Sequence, residues 1–245
     1  EHDTDPLMSR TRNRPFATGE IKHGPVWLLV IGALTALSVG AAWLALNAWT
    51  ALFTFLGAFF YAIVYTVWLK RRTWLNIVFG GLAGSWAVLA GATAADPHIG
   101  AVPLALAFVL FLWTPPHFWS LAIAFREDYA AAGVPMLPVV VGDKRAAKTI
   151  FASTLALVAA SFLPLAFGLG AIYFAGAAIG GFLFIQKAWR LARDPNRRTA
   201  MICFHAFSGM IGAWAPRASP TTSPASLRIT SGSMPNSRQM ASSKL

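Results

Sequence analysis

Residues 101–125 read AVPLALAFVLFLWTPPHFWSLAIAF and hold no Asp, Glu, Lys or Arg. About 20 apolar residues in a helix span the hydrocarbon of a bilayer, so this stretch is long enough to cross one. It is too long and too uniformly apolar for a strand. Outward from it, the charge-free stretches are 23–69, 73–95, 97–125 and 149–186. The first breaks at Leu46-Asn47-Ala48-Trp49 and the fourth near Phe167-Gly168-Leu169-Gly170, so each holds two spans. The pattern predicts six helices over roughly 26–46, 49–69, 76–95, 101–125, 149–167 and 169–187, with a partial seventh from Thr199 that fades after Ser208. The expected fold class is an all-α integral membrane protein.

Composition agrees. Of 245 residues, 56% are hydrophobic and 12% charged, too few charges to cover a soluble fold of this size. Cys203 is the only cysteine, which excludes a disulfide scaffold. The net charge of +11 admits nucleic acid as a partner until the charges are located. Sixteen of the twenty Lys and Arg fall in alternate loops (1–25, 70–75, 126–148 and the 188–198 region with its flanks), and none in the loops between. The positive-inside rule assigns the basic set to the cytoplasm. Topology thus accounts for the basic bias, and no nucleic-acid partner is expected.

Eight of the nine acids share those basic loops, although acids contribute little to orientation. Glu1 and Asp5 are one helical turn apart with Asp3 between them, a spacing suited to Mg²⁺ held by carboxylates and phosphate oxygens. A merely solvated acidic terminus has the same spacing. Arg10 and Arg14 are also one turn apart, and Lys70-Arg71-Arg72 closes the second span. Such groups bind phosphate oxygens, though each cluster alone also serves as a positive-inside anchor. Acids and bases on one face together suggest a Mg²⁺–diphosphate site. The segment Trp113-Thr114-Pro115-Pro116-His117-Phe118-Trp119 puts two prolines inside an apolar run, where a kink or break is expected. His117 lies nine residues before Arg126, about 13 Å into the membrane if helical, and is either a functional ionisable group or a neutral histidine bonded to a neighbouring helix.

Here the sequence closely resembles the protoheme IX farnesyltransferase (heme O synthase) branch of the UbiA-type intramembrane prenyltransferase superfamily. The matching elements are Asp3-Thr4-Asp5 through Met8–Pro15, Tyr65 through Leu69–Thr73, Asn76–Gly81, Trp113–Trp119, Asp128-Tyr129, Ala132-Gly133 and Pro135–Val139, over about 1–208. The resemblance implies a multi-helix bundle around a central cavity, with nine spans in the family and therefore two upstream helices missing here. It implies transfer of a farnesyl group from farnesyl diphosphate to the vinyl group of heme B, with Mg²⁺ as cofactor and heme B as substrate. By the same resemblance the metal ligands are Glu1, Asp3, Asp5 and Asp128, and the diphosphate is met by Arg10, Arg14, Lys70, Arg71, Arg72, Asn76 and Arg126. Asp128, Tyr129 and His117 take catalytic roles, His117 as iron ligand or porphyrin-orienting group, with Phe118, Trp119 and Tyr129 offering ring faces to a carbocation. Asp128 is followed by Tyr129, Ala130, Ala131 and Ala132, a departure from the wider superfamily's repeated Asp pattern and its symmetric two-metal site. The implied location is the bacterial cell inner membrane, multi-pass in the lipid bilayer, with the site on the cytoplasmic side. Heme A synthase or cytochrome oxidase assembly factors are the implied protein partners. Competing readings are a sister prenyltransferase with an aromatic or quinone acceptor, a transporter of an amphipathic anion, and a catalytically inactive assembly partner.

The ends carry two more expectations. The chain opens at Glu1 without Met, which reads as a fragment lacking upstream residues. From Gly209 onward Ser, Thr and Pro supply 15 of 37 residues, with no acid, which reads as a disordered or frameshifted tail in place of a continued helix. The domain is therefore expected over 1–208 and the tail over 209–245.

The charge alternation makes a topology prediction. In oriented membranes, a His98→Cys variant should react with an impermeant thiol reagent from the extracytoplasmic side, and an Arg72→Cys variant only once the membrane is opened. The opposite pattern inverts the assignment.

Overall fold

The computed structural model describes residues 3–212, with side chains through Ser208, so Glu1 and most of the 209–245 tail lie outside the described residues. Among the described residues every regular element is helical. In order these are α1 (Pro15–Thr18), α2 (Val26–Ala45), α3 (Ala48–Phe59, continued by a π-helical segment Phe60–Leu69), α4 (Asn76–Ala95), α5 (Ala101–Ala124), α6 (Arg126–Ala131), α7 (Leu137–Val141), α8 (Asp143–Ala160), α9 (Ala171–Arg193) and α10 (Arg197–Gly212). Six are long and apolar enough to cross a membrane, as the charge-free stretches predict: α2, α3 with its π segment, α4, α5, α8 with the turn after it, and α9. A helix is the natural state here because it satisfies its own peptide groups without water.

α5 is the hub. It packs against α4 on one side and against α8 and α10 on the other, while α2 packs on α3 at the edge. The main core lies where α5, α8, α9 and α10 meet, around Ile150, Leu191, Cys203 and Phe207, none of which exposes measurable surface. By contrast α2 buries no residue. Its exposed leucines and tryptophans are the side chains expected against lipid. Polar groups join neighbouring spans at isolated points. Asn47 Nδ2 donates to the Thr93 carbonyl at 2.7 Å, and Ser85 Oγ to the Ala107 carbonyl at 2.9 Å.

Four local expectations are corrected. Pro115 and Pro116 do not break α5, which is continuous from Ala101 to Ala124. Adjacent prolines remove two neighbouring amide donors, a local loss. Both are buried within the helix. The irregular winding falls instead in Phe60–Leu69, ten residues of π-helix that composition does not announce. The fifth span starts at Asp143 rather than 149, because Gly142 turns at φ 80° and Asp143 then sits in the first helical turn, where the helix dipole favours an acid. The sixth extends to Arg193, with Arg190 and Arg193 in its last turn complementing the opposite dipole end. The 126–148 region is also not a plain loop, since it contains α6 and α7. α10 begins at a reciprocal cap in which Thr199 N donates to Asn196 Oδ1 at 3.0 Å and Asn196 N to Thr199 Oγ1 at 3.1 Å.

Small residues set the closest helix approaches, as in other membrane bundles. A Cβ added at Gly181 on α9 would lie 2.7 Å from Val158 Cγ1 on α8. Gly181→Leu should therefore cost about 1–3 kcal/mol and lower the thermal midpoint in detergent. A second change, Val158→Ala, should recover part of the loss; a single variant as stable as wild type would show that the helices separate freely here.

Candidate active site

The site assembles at the end of the bundle where the basic loops lie. Pro6 starts a 3-10 turn, Asp5–Leu7, that folds the N-terminal segment back on itself. Thr11 Oγ1 donates to the Asp5 carbonyl at 3.0 Å and fixes the loop. The Asp5 carboxylate is buried, and Arg14 Nη1 reaches its two oxygens at 3.2 and 3.4 Å. Arg71 Nη2 donates to Asp3 Oδ1 at 2.6 Å, and this hydrogen bond holds the Asp3 carboxyl well below the usual carboxylate range. The two acids therefore tie the first loop to its own arginine and to the 70–73 turn. Because the Asp3–Arg71 pair is half exposed, its worth lies in position more than in stability.

Asp5, Arg10, Arg14 and Lys70 line one cavity of about 220 Å³, whose remaining wall includes Tyr61, Tyr65, Phe118 and Tyr129. The π-helical winding carries Tyr61 and Tyr65 to this wall. Gly80 on α4 makes room for Tyr65, since a Cβ there would sit 2.7 Å from Tyr65 Cδ2. The Lys70 ammonium lies 6.0 Å from the Tyr65 ring centroid. A second, mostly apolar cavity of about 390 Å³ shares Tyr61, Tyr65, Ile77 and Phe118 with the first and runs between α4 and α5 past Gly81, Gly84 and Leu110. A charged chamber thus adjoins an apolar slot across one aromatic wall.

Other expected residues lie elsewhere. Asn76 is fully buried and donates from Nδ2 to the Lys70 carbonyl at 3.0 Å, so it braces the basic turn without lining the chamber. Arg72 is exposed and lines neither cavity. Asp128 accepts from Ser9 N at 3.0 Å and Ser9 Oγ at 2.5 Å. It lines a separate polar cavity with Arg126, which pairs with Asp143 at 3.5 Å. His117 is stacked between Trp113 and Phe204, at 4.2 and 4.4 Å between centroids, and its Nδ1 has no hydrogen-bond partner. Both ring faces are therefore covered, and the neighbour on α10 is an aromatic ring rather than a hydrogen-bonding group. Trp119 is buried beside Trp74 and lines neither cavity, unlike Phe118 and Tyr129. Among the described residues no three His, Cys, Asp or Glu side chains converge as a metal cluster. Mg²⁺ asks for less, one or two carboxylates together with phosphate oxygens; Asp5 is the carboxylate that lines the charged chamber, with both its oxygens within reach of Arg14.

The sequence reading missed Tyr61, and used Ser9, Thr11 and Tyr65 only as parts of a resemblance. One signal was available: the chain has four tyrosines, and three of them line the charged chamber.

Comparison with known proteins identifies the family. The model of the UbiA prenyltransferase family matches residues 1–211. The chain is 58% identical over 206 residues to protoheme IX farnesyltransferase 2 of Paramagnetospirillum magneticum, covering 84% of this chain and 72% of that protein. It is 51% identical over 201 residues to protoheme IX farnesyltransferase 1 of the same organism, covering 82% and 71%. Protoheme IX farnesyltransferase 1 of Cenarchaeum symbiosum is 45% identical over 80% of this chain and 66% of its own. In fold, the chain is similar to a UbiA homolog from Archaeoglobus fulgidus bound to DMAPP and Mg2+, with a TM-score of 0.64 at 18% identity over 86% of this chain and 79% of the other. The chain belongs to the UbiA prenyltransferase family.

Proposed function

We propose that this chain transfers a farnesyl group from farnesyl diphosphate to the vinyl group of heme B, giving heme O and diphosphate. The observation that carries the reading is the charged chamber joined to the apolar slot through Tyr61, Tyr65, Ile77 and Phe118. An allylic diphosphate has this same division, a multiply charged head on an apolar tail. The relatives named above supply the prenyl length and the acceptor.

In the reaction the C1–O bond of farnesyl diphosphate breaks and its electron pair leaves with the diphosphate oxygen. The vinyl π pair of heme B forms the new C–C bond to C1. The cation left on the adjacent porphyrin-side carbon takes up water, which then loses a proton. Charge develops on the diphosphate as C1–O opens, and cations fixed there beforehand stabilise that change. Arg10, Arg14 and Lys70 line the chamber for this purpose, and Asn76 holds the backbone from which Lys70 projects. Tyr61, Tyr65, Phe118 and Tyr129 line the same chamber, and such rings stabilise the positive charge that grows at C1. The apolar slot takes the tail and keeps water from the cation until the bond has formed. Asp5, two residues after Asp3, is the chamber carboxylate that would hold Mg²⁺, and the ion would act there as a Lewis acid on the diphosphate. Asp128 acts through Ser9, fixing the loop that bears Asp5.

Membranes containing the chain, supplied with heme B, farnesyl diphosphate and Mg²⁺, should form heme O detectable by mass. Formation of a prenylated quinone instead would overturn the acceptor assignment. EDTA should abolish turnover, and activity that persists in EDTA removes the metal from the mechanism. Asp5→Asn should lower turnover by roughly a hundredfold or more, the scale of losing one electrostatic element of a preorganised site. Heme B binding should be unchanged in that variant, and normal turnover would place the metal elsewhere.

A further inference from the structure

The charged chamber and the apolar slot do not end the cavity system. A third cavity, about 410 Å³, lies between α3 and α4 and is lined by Phe53, Thr54, Gly57, Ala83, Ala87 and Ala90 among others. It shares Ala83 with the slot, and Tyr61 with both the slot and the chamber. Chamber, slot and groove are therefore joined around one tyrosine. The threonine hydroxyl in the groove wall, that of Thr54, donates to the Thr50 carbonyl at 2.8 Å, so its proton stays within α3. Beyond Tyr61 the lining is otherwise apolar. The two helices pass closely at Gly57, where an added Cβ would lie 3.6 Å from the Ala83 carbonyl oxygen. Alanine at 83, 87 and 90 keeps the space along this crossing open.

α4 gives this path a scale. Chamber and slot share Ile77, which marks the level where the diphosphate head gives way to the tail. From Ile77 to Gly84, the last slot residue on α4, the rise is roughly 10 Å, the reach of two extended isoprene units. From Ile77 to Ala87 the rise is roughly 15 Å, the reach of three. The slot alone therefore holds a two-unit tail, and a three-unit tail has to continue past Ala83.

We infer that the groove receives the third isoprene unit of the donor, and that Ala83 sets the tail length this chain accepts. Ala83 stands where slot and groove meet, and its single methyl group leaves the passage open. The inference rests on the prenyl-transfer reading. Two residues shared with the slot assign the groove to the donor's own tail in preference to a bilayer lipid.

The test supplies membranes containing the full chain, heme B and Mg²⁺ with geranyl or farnesyl diphosphate and measures kcat/KM for each from the prenylated heme by mass. The ratio of the two donors within one variant does not depend on how much of that variant folds. Ala83→Leu should lower the farnesyl-to-geranyl ratio about tenfold, the scale on which apolar pockets discriminate by one or two methylenes. Ala87→Leu, at an exposed position, should lower it as well, and carries the test alone if Ala83→Leu yields no folded chain. A ratio within about twofold of wild type in these variants, or an equal loss for both donors, would overturn the assignment and leave the groove to a bilayer acyl chain. A wild-type chain that turns over neither donor overturns the transfer reading itself, and the assignment with it.

Discussion

In hydrocarbon, a peptide group without a hydrogen bond costs several kcal/mol, and the rest of this structure follows from that constraint. It makes the spans helical and leaves irregular backbone only where protein or a cavity is adjacent. Two places among the described residues reflect it, one regular and one irregular. Pro115 and Pro116 lie in the part of α5 enclosed by neighbours, and Phe60–Leu69 winds as a π-helix beside the charged chamber. The π-helical segment brings Tyr61 and Tyr65 to the edge of both cavities, where a regular winding would distribute those side chains differently around the axis.

The electrostatics follow from the same constraint. Charges cannot enter the hydrocarbon unpartnered, so they gather at one end of the bundle, and crowding makes acids and bases neutralise one another. Asp5 with Arg14, Asp3 with Arg71 and Arg126 with Asp143 are all pairs of this kind. The outcome is a preassembled polar surface in which cations outnumber acids around one chamber. An incoming diphosphate meets fixed charges instead of reorganising water.

The spans were legible because charge-free runs of about 20 residues have few alternatives in a bilayer. Their ends were less so: Asp143 begins its helix well before the apolar run does, since a positive-φ glycine and the helix dipole set the start, and neither shows in a hydropathy pattern. In the site, Asp5, Arg10, Arg14 and Lys70 could be grouped from loop charge alone, because topology brings those loops to one end. Asn76 could not be assigned correctly, since its bond to the Lys70 carbonyl depends on how the turn closes. Asp128 and Arg126 joined the other charges through the resemblance and line a different cavity, because a motif says which end of the bundle a residue occupies and not which cavity its side chain meets.

The bond between Ser9 and Asp128 joins positions 119 residues apart. During synthesis Ser9 therefore emerges long before its partner, and four spans must enter the bilayer between them. For that interval the acidic loop has only water, its own arginines and, once the second span has entered, Arg71 as partners. The site is consequently completed late, after the apolar scaffold is in place, and long-range closures of this kind are slow steps in assembly. A chain interrupted before Asp128 would hold its first four spans and its phosphate-facing arginines, yet leave the loop that carries Asp5 without its distant anchor.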